Sequence, residues 1–259
     1  MSGRHLTAMT ENVERFSNRV ENYVKYRPGY PHEIVRHLAE NCGLTRETVI
    51  ADVGCGPGMS AKMFLENSNR VFGVEPNDAM REAAVEYLAE FPGFTPIKGT
   101  SDATTLSDSS VDMIVAAQAF HWFDPVSTRA EFKRIARPGG YIVLIWNIRQ
   151  EETTPFLVEY EQFITTYSVD YHLVRHNNIT DREIGEFLGP DFRTAAFDNI
   201  QTFDFDGLLG RLASSSYMPP QGHERFAPMA EALRSLFAKH ERNGRIEILY
   251  DTKVYYALT

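Results

Sequence analysis

Apolar positions along this chain follow two alternating rhythms. Short runs of strand length occur at Val49–Val53, Arg70–Glu75, Phe94–Lys98, Val111–Ala117 and Tyr141–Trp146. Between them, apolar residues return every three or four positions, which predicts helices reaching to about Asn67, over Ala79–Ala89 and over Val126–Ala136. Period-two or unbroken apolar runs are the mark of strands, and the longer period is that of helices. Strands alternating with helices from Val49 to Trp146 predict βαβ units and a parallel, doubly wound α/β sheet. Ahead of the first strand, Val13, Phe16, Val20, Tyr23 and Val24 predict a helix over Asn12–Tyr26. Arg27-Pro28-Gly29-Tyr30-Pro31 stops it, and Ile34, Val35, Leu38 and Ala39 form the apolar face of the next helix.

After Trp146 the rhythm changes. Residues 150–192 are aromatic-rich and helical in pattern, with no strand signal. Phe197–Phe205 and Ile246–Leu258 read as two further strands, with a short helix near Leu208–Ser214 and another over 223–240 between them. The resulting division is N-terminal helices and lid (1–44), ligand-binding core (45–149), helical cap insertion (150–195) and a completion of the sheet with a substrate-side helical segment (196–259).

Composition narrows the function classes. The chain has 259 residues, 43% hydrophobic and 24% charged, the balance of a globular domain with a substantial core. A net charge of −9 argues against nucleic acid as a partner, because phosphate neutralisation needs clustered Lys and Arg. Cys42 and Cys55 make no disulfide framework, which fits a reducing compartment. Met1–Thr10 has no apolar core of the signal-peptide type, and the longest aliphatic runs are strand-sized. The expectation is a cytoplasmic protein without membrane partners, monomeric or homodimeric, with no metal.

The chemistry concentrates after the first strand, in Asp52-Val53-Gly54-Cys55-Gly56-Pro57-Gly58. A strand, a glycine turn and a helix N-terminus form a corner suited to nucleotide-like ligands. Glu75 ends the second strand, where an acid can accept hydrogen bonds from ribose hydroxyls; a strand-end surface acid is the alternative. The glycine spacing departs from the G-x-G-x-x-G of dinucleotide sites, and Asp52 is ill suited to an anionic pyrophosphate. It suits a ligand bearing a sulfonium and an ammonium, such as S-adenosylmethionine (SAM). Asp102, after the third strand, is placed either to meet an adenine amino group or to remain a solvated turn acid.

These residues resemble the class I SAM-dependent methyltransferases. The likeness rests on the glycine turn, Glu75, Gly99-Thr100-Ser101-Asp102 and Arg137-Pro138-Gly139-Gly140, from about Val49 to Asn147. Tyr26-Arg27-Pro28-Gly29-Tyr30-Pro31, Ala119-Phe120-His121-Trp122-Phe123-Asp124, Ile145-Trp146-Asn147 and Arg245-Ile246-Glu247-Ile248 with Tyr250 are similar to the branch containing trans-aconitate methyltransferase. The resemblance implies a Rossmann-like seven-stranded sheet with an antiparallel last strand. It also implies that Asp52, Gly54, Gly56 and Gly58 surround the methionine part of SAM, that Glu75 holds the ribose and that Asp102 meets the adenine. Met80 is placed to pack on the adenine or to serve as plain core. Cys55, Pro76, Ser101 and Gln118 complete the expected cofactor-binding set.

Methyl transfer needs nucleophile, methyl and sulfur held in line in a dry pocket, so catalytic acids and metals are optional. His121, in the loop after the fourth strand, is the candidate base or acceptor ligand, with a structural loop histidine as the alternative. Trp122, Phe123 and Trp146 are candidates for the acceptor pocket wall, in competition with core packing, and Tyr23 is a further substrate-binding candidate. Arg27 reads either as the anchor of a carboxylate, of SAM or of the acceptor, or as a solvated helix-end cation. Arg149 reads as an anchor for an anionic acceptor or as a surface loop cation. No Asn/Asp-Pro-Pro-Tyr/Phe tetrapeptide follows the fourth strand, which removes the usual pointer to base or amide nitrogen. The expected function is methylation of a small molecule from SAM, releasing S-adenosylhomocysteine, with a carboxylate oxygen as the candidate acceptor atom. RNA or protein methylation, NAD-dependent redox chemistry and non-catalytic SAM binding are the competing readings.

Overall fold

A computed structural model describes residues 24–169, 180–215 and 217–259. Tyr23 and most of the helix expected over Asn12–Tyr26 lie outside the described residues. The strands β1 (Val49–Val53), β2 (Arg70–Val74), β3 (Phe94–Ile97), β4 (Val111–Ala117), β5 (Ala136–Arg149), β6 (Arg193–Phe203) and β7 (Ile246–Leu258) form one sheet. Its order is β3-β2-β1-β4-β5-β7-β6. Strands β1 to β5 pair in parallel, and β7 runs antiparallel to both β5 and β6. The sheet is therefore seven-stranded with the expected reversed last strand. Strand order turns around between β1 and β4, and the crevice outside their carboxyl ends is where ligands bind in such sheets.

The helices are α1 (Glu33–Cys42), α2 (Met59–Glu66), α3 (Asp78–Tyr87), α4 (Pro125–Ile135), α5 (Pro155–Tyr167), α6 (Asp181–Leu188), α7 (Phe205–Ala213) and α8 (Phe226–His240). Side-chain alternation along the strands feeds two cores. Ile50, Met113, Val115, Val143 and Ile145 pack with Ile34 and Leu38 of α1 and Phe64 of α2. Ile114, Ala116, Ile142 and Leu144 face the other way, onto Phe132 of α4 and Ile184 and Phe187 of α6. Both faces are covered, so β1 is buried at every position. Among the described residues no helix is long and apolar enough to cross a membrane.

Local chemistry sets the helix starts. Asn77 Oδ1 accepts from Met80 N at the start of α3, at 3.1 Å. Asp124 Oδ1 accepts from Ser127 N at 2.9 Å, with Pro125 in the first turn of α4. Thr180 and Glu183 form a reciprocal capping box on α6.

Four strand ends differ from the sequence expectation by two residues or more. Strand β5 extends beyond Tyr141–Trp146 at both ends, because Ala136 pairs with Val111 and Arg149 with Tyr250. Strand β6 begins at Arg193 rather than Phe197, drawn into register opposite Tyr256. It ends at Phe203, because Asp204 caps α7 by accepting from Gly207 N at 2.8 Å and takes Phe205 into the helix. The 150–195 stretch also divides in its packing. Helix α6 joins the sheet core, whereas α5 packs with α7, α8 and Tyr250 in a separate third core.

Candidate functional site

The glycine turn follows β1 at the switch point. Gly54 N and Cys55 N both donate to Val74 O at the end of β2, at 2.8 and 3.2 Å. Gly54, Gly56 and Gly58 have φ of +69°, +54° and +89°, a region that disfavours side chains. A Cβ on Gly54 would stand 2.7 Å from Ala119 Cβ and 3.3 Å from Phe123 Cζ, so the loop after β4 is seated on the turn. A Cβ on Gly56 would meet nothing within 4 Å, leaving that backbone open to a ligand.

Two carboxylates stand beneath this turn. Asp52, fully buried in β1, accepts from Ser60 Oγ at 2.6 Å through Oδ2, while its buried Oδ1 has no hydrogen-bond partner. Burial pushes its pKa up to about 7, and the nearby Glu75 charge adds to the rise; bonds from the Ser60 hydroxyl and Ala61 amide oppose it. Glu75, just past β2, accepts from Gly56 N through Oε2 and from Asn77 N through Oε1, each at 2.9 Å. Burial raises its pKa as well, against those two amides and Arg81. Cys55 is buried, and its thiol is held well above its ordinary range by burial and by the charges of Asp52 and Glu75. It is therefore inert as a nucleophile.

The remaining cofactor candidates spread along the rim. Pro76 is half-buried, and Met80 is buried on α3. Ser101 is buried, its Oγ accepting from Thr128 Oγ1 at 2.9 Å, whereas Asp102 is exposed and accepts from Thr100 Oγ1 at 2.6 Å. Gln118 follows β4 with φ +56°, rare for a residue with a side chain. Its Nε2 donates to Asn147 O at 3.1 Å, and its Oε1 is buried without a partner.

His121 and Trp122 lie in a 3₁₀ turn, Phe120–Trp122, with the two rings tilted at 4.6 Å between centroids. Trp146 is buried in β5 against Phe120 and Tyr255, and its Nε1 has no hydrogen-bond partner. Ala119 and Phe123 both reach Gly54, so His121 between them stands beside the glycine turn.

The two arginines read as anion anchors have partners within the protein. Arg27 Nη2 donates to Ser214 O at 3.1 Å, on the turn after α7. Arg149 pairs with Glu161 on α5, lies 4.0 Å from Glu151 and sits over the Tyr160 ring. An anion arriving at Arg149 would meet two carboxylates already on it. Tyr23 lies outside the described residues. Sequence reasoning missed Ser60, which orients Asp52, and Arg211, which α7 buries on its apolar face between Leu208 and Leu212. The signal for Arg211 was present, as a cation at helical spacing within an apolar stripe.

An open doubly wound sheet with a reversed last strand, a glycine turn at its switch point and acids at the ends of β1 and β2 defines a class I methyltransferase architecture. Comparison with known proteins agrees. Residues 51–144 match the family described as Methyltransferase domain. An uncharacterized methyltransferase of Mycobacterium tuberculosis is 33% identical over 136 residues, 52% of this chain and 53% of that protein. The match thus spans about half the length of that relative. An uncharacterized methyltransferase-like protein of Schizosaccharomyces pombe is 26% identical over 94% of this chain and 95% of its own. The solved structure of a proposed type II methyltransferase from Anaeromyxobacter dehalogenans shares the fold, with a TM-score of 0.66 at 24% identity, covering 90% of this chain and 98% of that one.

Proposed function

We propose that the protein methylates a small-molecule acceptor from SAM, with a carboxylate oxygen as the acceptor atom. The observation that carries this reading is Asp52. A fully buried carboxylate with one bare oxygen, beside a turn whose backbone is open at Gly56, is a receptor for a cation. SAM fits it, with an ammonium and a sulfonium for Asp52 and hydroxyls for Glu75. When bound, SAM supplies a methyl group on an activated sulfur, already a competent electrophile.

The chain's own residues then have to bind, orient and exclude water. Asp52 holds the cationic end, Gly56 allows close approach and Glu75 accepts from hydroxyls through lone pairs its two amide partners leave. Trp146 and Phe120, each 4% exposed, form an apolar wall beside the loop carrying His121. A carboxylate nucleophile needs no base, so His121 acts as an acceptor ligand there and as a base only for a protonated nucleophile. The excess of acidic residues supports a small acceptor over RNA.

The test is a tritiated-methyl assay against pooled small metabolites, with mass spectrometry of the labelled product, beside calorimetric titration with SAM. Labelled methyl esters are the expected product. A protein that binds neither SAM nor S-adenosylhomocysteine overturns the reading. His121→Asn should leave SAM affinity unchanged and lower turnover; full turnover in that variant removes His121 from the reaction.

A further inference from the structure

Arg211 carries a charge that its surroundings do not balance. It is 8% exposed in the third core, with Nε donating to Tyr250 Oη at 3.4 Å and Nη1 to Ser215 Oγ at 3.1 Å. A guanidinium has five N–H donors and stays charged, so two neutral bonds leave most of it unused. The ionisable groups around it are phenols, those of Tyr250, Tyr217 and Tyr160, and among the described residues no carboxylate forms an ion pair with it. Burial raises Tyr160 above its ordinary value, so that phenol is neutral and supplies no counter-charge. Arg149, which sits over the same Tyr160 ring, is matched by Glu161. A second guanidinium, Arg27, reaches Ser214 on the turn that carries Ser215.

Position links this charge to the donor corner. Tyr250 of β7 pairs with Arg149 at the carboxyl end of β5. The neighbouring β4 ends at Ala117, and Gln118 N just beyond it donates to Ile145 O of β5. Arg211 therefore lies beyond the same rim, two strand spacings across (roughly 10 Å) and four residues along (roughly 13 Å) from the end of β4. An isolated buried cation is costly unless a counter-charge reaches it.

We propose that Arg211 anchors an anion subsite that takes a carboxylate of the molecule to be methylated. A single planar carboxylate matches one guanidinium in charge and in fork geometry. The assignment of that anion to the acceptor rests on the methyl-transfer reading; the subsite itself does not.

The test follows the Arg211 Nε–H resonance in the full ¹⁵N-labelled chain, assigned by its absence in Arg211→Lys, during titration at constant ionic strength. Sodium acetate should shift it saturably, while acetamide and inorganic phosphate should not. No response to acetate, or an equal response to acetamide, overturns the subsite; a response to phosphate alone overturns the carboxylate assignment. Arg211→Met should bind acetate about 10-fold or more weakly and melt above the wild type, because it removes an unbalanced charge. A lower melting temperature would mark Arg211 as a structural residue and overturn the proposal. Titrating S-adenosylhomocysteine into the same sample separates the two readings. Acetate binding without it keeps the subsite and removes methyl transfer, and the converse does the opposite.

Discussion

Asp52 shows how one buried oxygen couples charge to solution conditions. Its pKa rises from an ordinary 3.8 to about 7 in the folded protein. Between those values the folded chain holds a proton that the unfolded chain has released. This contribution to stability is therefore full below 3.8 and is lost as pH rises toward 7. A cationic ligand favours the ionised form, so SAM affinity should climb with pH up to about 7 and then level off. Calorimetry at several pH values checks this, and Asp52→Asn should flatten the profile and weaken binding about 10- to 100-fold. The turn glycines separate two effects. Gly54→Ala places a Cβ 2.7 Å from Ala119 and should cost about 1–3 kcal/mol in urea unfolding. Gly56→Ala meets no neighbour but carries the strain of its positive φ, about 1–2 kcal/mol, so it should cost less in unfolding than Gly54→Ala while also weakening SAM binding. The acids and glycines of this corner were legible because they lie together in sequence. The role of Ser60 was not, because its partner is brought in by folding, and Arg211, visible only as a cation within an apolar stripe, takes its meaning from Tyr250 of a distant strand.

Among the elements, α4 and the loop after β3 are joined through one side chain. Glu131 Oε1 accepts from Thr104 N at 2.8 Å and Thr104 Oγ1 at 2.5 Å, and both its oxygens take Arg134. Arg134 holds the Glu131 pKa down, from 4.5 to about 2, against the burial that would raise it; Thr104 adds to the lowering. The stability this gives is present above 4.5 and is lost as pH falls toward 2. Glu131→Gln should flatten this part of the acid-unfolding curve, and Glu131→Ala should cost about 3 kcal/mol and loosen the loop carrying Ser101 and Asp102. Hydrogen exchange of residues 99–106 reads the loosening directly. Periodicity placed α4 within a residue of its observed bounds, since its apolar face is local information. It set β5 short and began β6 late, because those ends are fixed by pairing with β4 and β7, which no local pattern carries.

At the scale of the whole molecule, the segment before α1 is tied to the far strands. Asn147 Nδ2 and Asn199 Nδ2 both donate to Gly29 O, at 3.0 and 2.9 Å, and Gln201 Nε2 donates to Tyr26 O at 3.0 Å. Asn147 Oδ1 also accepts from Thr252 Oγ1 at 2.6 Å, so it ties β5, β7 and the N-terminal segment together. Asn147→Leu should release that segment, and limited proteolysis should cleave near residues 24–31 faster than in the wild type. The doubly wound order and the reversed strand were legible from the alternation of patterns, whereas this strap depends on amides that look like ordinary polar positions. Strand β7 lies between β5 and β6, although it follows both in the chain. During synthesis the first five strands can therefore assemble with a raw edge at β5 while β6 waits without a partner. The emerging polypeptide carries two unmated borders until Ile246–Leu258 leaves the ribosome tunnel, and its greatest need for a chaperone falls in that interval.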